Sequence, residues 1–199
     1  MNPAVVKQHS ALFPLNTVLF PGCSLPLKIF EQRYLTLIKN CLKNNYGFIV
    51  ILITAGKEVG ETPDITSTGT LVEITDWNTL DNGLLGVTVT ARQRVQVSNL
   101  SSKDDGLLTA DFENLSEKMS NTSLAPAYQD LVDTLKNLEN HPFVVSQEIN
   151  IDYSDDCDIS NKLSQLLPIN NKVKQSLLEI DNIADRFDRL RSIIKQLQL

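Results

Sequence analysis

The segment Leu12-Phe13-Pro14-Leu15-Asn16-Thr17-Val18-Leu19-Phe20-Pro21-Gly22, running on to Leu25-Pro26-Leu27-Lys28-Ile29-Phe30-Glu31-Gln32-Arg33-Tyr34, decides how the rest of the chain is read. It packs three prolines among a dense set of large apolar side chains. Proline has no backbone donor, so it sits at strand ends, bulges and edges rather than in mid-ladder. The segment therefore predicts two short strands, Phe13–Leu15 and Leu25–Ile29, joined by a bent loop. A helix opening near Phe30 and Glu31 follows, with Tyr34, Leu35, Ile38, Cys41 and Leu42 at helical spacing up to the stop Asn44-Asn45-Tyr46-Gly47.

Outward from this segment the first half continues in strands. Phe48–Ile53 is a short apolar run rich in β-branched residues and reads as a fully buried strand. A polar loop, Ala55 to Ser67, leads to a strand at Thr68–Thr75, and Asp81-Asn82-Gly83 marks a hairpin turn. Leu85–Val97 carries the longest strand signal. Leu85, Val87, Val89, Ala91, Val95 and Val97 alternate with Gly86, Thr88, Thr90, Arg92, Arg94 and Gln96, which predicts one buried and one polar face. Asp104-Asp105-Gly106 turns the chain into a last strand, Leu107–Leu115. Several strands with short turns favour a closed or partly closed barrel, which protects strand edges.

Then the period changes. Ser116 to Ser123 is polar and reads as a linker. Tyr128, Leu131, Val132, Leu135 and Leu138 fall at helical spacing, and Pro142 limits that helix. Ile159, Leu163, Leu166 and Leu167 form a second apolar face that stops at Pro168. Asp155, Asp156 and Asp158 crowd its start, where carboxylates cap free N–H groups and suit the helix dipole. With Asp152 they resemble a loose calcium loop, yet they lack the glycine and terminal glutamate of the EF-hand pattern. The last helix is expected over about Asn171 to Leu197, and its apolar stripe implies a small bundle.

Composition bounds the function. With 199 residues, 42% of them hydrophobic, the chain can bury a sizeable core. Residues 1–115 carry a net charge of −2 and residues 116–199 a net of −4, with no basic patch in either half. That argues against non-specific nucleic-acid binding, which needs clustered Lys and Arg. Cys23, Cys41 and Cys157 are odd in number and contain no CxxC, which fits a reducing cytoplasm. Met1 to Ser10 has no apolar signal region, and the run Phe48–Ile53 falls far short of the ~20 residues of a membrane helix. His9 and His141 lack ligand spacing to Cys or Asp, so no metal or catalytic triad is expected. Gly56-Lys57-Glu58, the one Gly-Lys step, has neither the following Ser or Thr nor the earlier glycine of a phosphate-binding loop.

Three pieces, in order, carry a family resemblance. The first is the Pro-Leu, Phe-Pro, Leu-Pro-Leu and Phe-Glu-x-Arg-Tyr series between Phe13 and Tyr34. The second is Gly69-Thr70-Leu71 with Ala91-Arg92-Gln93-Arg94-Val95. The third is Lys162-Leu163-Ser164-Gln165-Leu166-Leu167-Pro168 with Lys174-Gln175-Ser176-Leu177-Leu178-Glu179. Together they resemble the amino-terminal, substrate-binding domain of Lon proteases and its stand-alone relatives. Departures fall at Gln32, where proline or alanine is common, at Ala91 and Val95, and at Lys162 and Gln165. The resemblance implies an α+β chain: a PUA-like, mostly antiparallel β-barrel with one helix over residues 1–117, a linker over 118–124, and a helical bundle over 125–199. It also implies a non-catalytic role in binding polypeptide, either unfolded clients or a protein partner, in protein quality control. No cofactor, metal or membrane is implied. RNA binding is the alternative that a PUA-like fold raises and the acidic charge opposes.

Within that reading the candidate polypeptide contacts are Phe20 and Pro21, in the bent loop, and Trp77, just past the Thr68–Thr75 strand. Exposed apolar clusters mark partner sites, whereas a Phe20 that plugs one barrel end would be core. Glu31, Arg33 and Tyr34 are assigned structural work: Glu31 satisfies helix-start donors, Arg33 pairs with a carboxylate, and Tyr34 packs on the barrel. Arg92 and Arg94, on the polar strand face, suit Glu73 or Asp111 on neighbouring strands as well as they suit RNA. The missing phosphate-binding loop, and the single helix expected after Val173, lead to a first prediction. The purified chain is expected neither to hydrolyse ATP nor to cleave casein, and turnover that co-purifies with it to homogeneity would overturn this.

Overall fold

Strand β5 (Leu85–Ser102) is the longest element and pairs with three others: β2 (Ser24–Ile29), β4 (Asp64–Thr79) and β6 (Leu108–Asn114). The computed structural model describes residues 8–60, 62–118, 124–145 and 149–197, without the side chains of Phe143 and Val145. With β1 (Gln8–Leu15) and β3 (Phe48–Ala55) these strands form a six-stranded sheet in the order β2-β5-β4-β3-β1-β6. The additional β5–β6 pairing closes the circuit β5-β4-β3-β1-β6, with β2 lying on the β5 edge. Among the described strands β1 and β3 are the parallel pair, because the crossover through β2 and helix α1 (Gln32–Asn44) lies between them. The fold is α+β and its pairings are mostly antiparallel.

The circuit forms because these strands are apolar on facing sides. Leu12 of β1, Ile49 and Ile51 of β3, Val95 of β5, and Ala110 and Phe112 of β6 meet in one buried cluster. Gly69 allows β4 to lie close to β3: a Cβ there would stand 2.7 Å from the Val50 carbonyl oxygen. α1 buries Tyr34, Leu37, Ile38 and Cys41; of the residues expected on its apolar face, Leu42 instead points to solvent. Asn45 ends α1 in the left-handed region (φ 53°) and donates its N–H to the Cys41 carbonyl, a stop that asparagine tolerates better than most residues.

Several expectations change. β4 starts at Asp64, inside the expected Ala55–Ser67 loop, because Ile65 pairs with Ile53 across an irregularity; residue 61 lies outside the described residues. β5 extends to Ser102, and Arg94 is not on a polar face but 1% exposed. The reason is a bulge. Gln93 pairs with Leu71 but Ala91 pairs with Val72, so Arg92 is an extra residue that inverts the alternation beyond it. The expected final helix is two, α5 (Asn171–Leu178) and α6 (Ile183–Leu197), and a short α3 (Pro142–Val145) starts at the proline that limits α2 (Gln129–Glu139).

The chain packs as two units, residues 1–115 and 116–199. Of the expected linker, residues 119–123 lie outside the described residues. In the second unit Leu131, Val132 and Leu135 of α2 are buried, as are Ile159 and Leu163 of α4 (Asp156–Leu166) and Phe187, Leu190 and Ile194 of α6. The aspartates do capping work. Asp155 accepts the Cys157 N–H at 2.8 Å as N-cap of α4, and Asp156 accepts the N–H groups of Leu124 and Ala125 at 2.7 and 3.0 Å.

Arg186, fully buried, ties this unit together. Its guanidinium donates to Asn161 Oδ1 (2.8 Å), to both Glu117 oxygens (3.1 and 2.9 Å) and to the Ile180 carbonyl (2.7 Å). The last contact holds the break between α5 and α6, and the Asn182 side chain caps the new start by accepting the Ala184 N–H. Replacing Arg186 with Ala removes the buried cation that Glu117, Asn161 and the Ile180 carbonyl share, and should destabilise the chain by about 3–5 kcal/mol in denaturant unfolding. A loss below about 1 kcal/mol, the size of one ordinary hydrogen bond, would show that the clasp is dispensable.

Candidate functional site

One concave feature of the first unit is built from the same segment that decides the fold. A groove of about 260 Å³ has Phe13 and Leu15 of β1, Leu27 and Ile29 of β2, and Tyr34 of α1 among its lining residues. Phe13 stacks on Tyr34 with ring centroids 4.1 Å apart and leans on Phe48 at 5.6 Å, so that wall is rigid. Burial raises the Tyr34 phenol above its ordinary pKa and keeps it neutral. Pro26, Phe30 and Val59 also line the groove, and Phe30 and Val59 are 55% and 51% exposed.

The charges around this floor are held in place. Glu58 accepts the Asn16 N–H at 2.6 Å, which fastens the β3–β4 loop to the β1–β2 loop. The sequence expectation that Glu31 satisfies the helix-start donors is corrected: its side chain makes no cap hydrogen bond to α1 and instead pairs with Arg33 at 2.9 Å. Arg33 also donates to the Gly106 carbonyl at 2.9 Å and lies 4.8 Å from the Tyr34 ring centroid. Lys28 adds one positive group to the lining. Such a surface, an apolar floor with a few oriented polar groups at its margin, is suited to binding rather than to bond making.

Neither histidine lines the groove, and His9 Nδ1 meets Asp111 at 3.0 Å. Cys41 is buried, and burial pushes its thiol up to about 12, far from a reactive thiolate. Among the described residues no group of three or more His, Cys, Asp or Glu could hold a metal ion, and no helix is long and apolar enough to cross a membrane.

The residues singled out in the sequence do not assemble here. Phe20 is 0% exposed, which corrects its assignment as a surface contact. The loop around it is tied to the sheet: Thr70 donates to the Leu19 carbonyl at 2.7 Å, and Gly22 donates to the Ala91 carbonyl at 2.9 Å. Pro21 is half-buried and Trp77 is 60% exposed, and neither lines the groove. Trp77 lies in the cross-strand row Leu27–Val87–Trp77, two strands from the groove-lining Leu27. Phe30 and Val59 were missed, although their signal was present. Phe30 follows Pro26 and Lys28 on the outward phase of a strand whose inward phase is Leu27 and Ile29, and Val59 is an apolar residue in a polar loop.

Comparison with known proteins gives the class. The family model of the ATP-dependent protease La (Lon) substrate-binding domain matches residues 10–196, so the chain belongs to that family. Lon protease 1 of Bdellovibrio bacteriovorus is 27% identical over 207 aligned positions, covering 98% of this chain but 26% of that protease. The Lon protease of Orientia tsutsugamushi is 31% identical over 90% of this chain and 24% of its own length. The chain thus spans about a quarter of these curated relatives. A crystal structure of a Lon N-terminal domain protein from Xanthomonas campestris superposes with a TM-score of 0.74 at 27% identity, covering 93% of this chain and 98% of that one. The N-terminal domain of a Mycobacterium avium complex Lon protease shares the fold at a TM-score of 0.68 and 14% identity.

The burial of Phe20 makes its own prediction. Phe20→Ser should destabilise the protein by about 3–5 kcal/mol, the cost of truncating a large aromatic in a core. A melting curve checks it, and an unchanged midpoint would return Phe20 to the surface.

Proposed function

We propose that this chain recognises extended, unfolded polypeptide without catalysis, as a substrate-binding or adaptor unit in cytoplasmic protein quality control. The observation that carries the reading is the groove, rigid and apolar within and edged by the exposed Phe30 and Val59. Apolar side chains left in water beside a preformed concavity are the usual mark of a partner site. Membership of the Lon substrate-binding family supports the same chemistry. An RNA reading has little to stand on: Arg92 is held by Glu73 at 2.8 Å and Arg94 is buried in the sheet. Trp77 enters the proposal as a second contact on the strength of its exposure.

Fluorescence anisotropy with labelled, unfolded casein tests the reading. Phe30→Ser and Val59→Ser should each weaken binding roughly fivefold to thirtyfold, as for central apolar anchors. Their stability should change by no more than about 0.5 kcal/mol, because both side chains are largely solvent-exposed. Trp77→Ser should also weaken binding without lowering the melting midpoint. Unaltered affinity in both groove variants would remove the groove from consideration.

A further inference from the structure

Between β3 and β4 the chain runs Gly56-Lys57-Glu58-Val59-Gly60, the segment whose Gly-Lys step lacks the pattern of a phosphate-binding loop. Both glycines stand at φ 100°, a conformation that residues with a side chain rarely adopt. Among the described residues the main chain of 56–60 makes no hydrogen bond to another segment. A side chain ties it down instead. Glu58, half-buried, reaches across and accepts the Asn16 N–H at 2.6 Å. Its carboxylate lies near the groove wall: burial is the main cause of the raised Tyr34 pKa, and Glu31 and Glu58 add to it against Arg33. The next residue, Val59, lines the groove and is 51% exposed. The segment is therefore a strap along the groove margin, with a glycine at each end, a tie at Glu58 and an apolar side chain beside the cavity.

The rest of the groove is held differently. Phe13 and Leu27 belong to strand ladders, and Tyr34 belongs to the buried face of α1 and stacks on Phe13. The strap has no ladder and no stack. An exposed hydrogen bond biases two states by roughly tenfold, which keeps such a strap shut most of the time and still lets it open often. We propose that residues 56–60 are a lid: polypeptide enters when Glu58 releases Asn16, and the strap then shuts with Val59 against the bound apolar side chain. The inference rests on the reading of the groove given above. It lets a rigid floor take apolar side chains of different size, because the strap alone has to move.

Two variants act on the strap from different ends. Glu58→Gln weakens the tie and keeps its shape. At Gly60 nothing lies within 4 Å of an added Cβ, so Gly60→Ala disfavours φ 100°, and with it the shut strap, without a clash. The probe is a labelled, uncharged Gly/Ser peptide with a central Phe, followed by stopped-flow anisotropy on the full chain. Each variant should quicken both association and dissociation about threefold to tenfold, the bias of one hydrogen bond on a gate that must open. A fixed wall would leave association unchanged or slow it, and either result in either variant overturns the proposal.

Amide exchange provides an arm without substitutions. The Asn16 N–H lies outside the groove lining and is covered by Glu58 while the strap is shut. Saturating probe should slow its exchange in the parent chain at least about threefold, as expected when local opening is suppressed. Unchanged Asn16 exchange in the complex overturns the lid and leaves the groove standing. Failure of the parent chain to bind the probe at all would instead remove the groove reading and this inference with it.

Discussion

One strand edge carries the first unit. Along a single side of β5, residues Leu85 to Thr90 pair with β2, Ala91 exchanges hydrogen bonds with Gly22 and Cys23, and the strand from Val95 onward pairs with β6. The opposite side pairs with β4 from Leu85 to Gln96. A strand that serves three partners cannot keep one phase throughout. It takes an extra residue at Arg92, and a second register shift between Ser98 and Ser101, where Asn99 adopts the left-handed region at φ 52°. Bulges of this kind bend a sheet and raise its twist, which is what a closed circuit of strands needs. The position of β2, and so one wall of the groove, follows from that arrangement.

The groove is rigid because its parts have structural duties elsewhere. Phe13 belongs to the β1 ladder and to an aromatic stack, Tyr34 to the buried face of α1, and Leu27 and Ile29 to the β2–β5 pairing. β2 is an edge strand that pairs with β5 alone, and Pro26 withholds an N–H from it. A proline on an edge discourages another chain from extending the sheet there. The groove beside β2 therefore presents side chains rather than a strand edge open to extension. A preformed surface of this type spends little ordering entropy of its own on binding.

The second unit solves a different problem. Its helices are short, and short helices are marginal without tertiary contacts. Arg186 links α6 to α4, to the Glu117 carboxylate and to the carbonyl freed by the break after α5. A buried guanidinium is costly to desolvate, and the cost is offset only because its terminal nitrogens find acceptors. The tight arrangement of donors and acceptors makes this unit dependent on one side chain that sequence periodicity alone reads as an ordinary helix-surface arginine.

The sequence by itself determined the order and type of the elements. Period-two stretches became strands, helical spacing became α1, α2, α4 and α6, and the aspartates before Ile159 became caps. These features are local: they depend on backbone conformation and on neighbours within a few residues. The groove was not legible as a site: Phe13 to Tyr34 supplies much of its lining, but the contacts read from the sequence, Phe20, Pro21 and Trp77, all lie outside it. Tertiary structure alone decided the rest. Whether Phe20 faces water depends on Thr70 and Ala91, which are remote in sequence and draw its loop onto the sheet. Arg94 is buried because a bulge two residues earlier shifts its phase, and the last helix breaks because Arg186 and Asn182 compensate the lost backbone bonds. A sequence pattern gives the phase of a side chain within its own element, but burial is set by whatever distant segment covers that face, and only the folded chain supplies it.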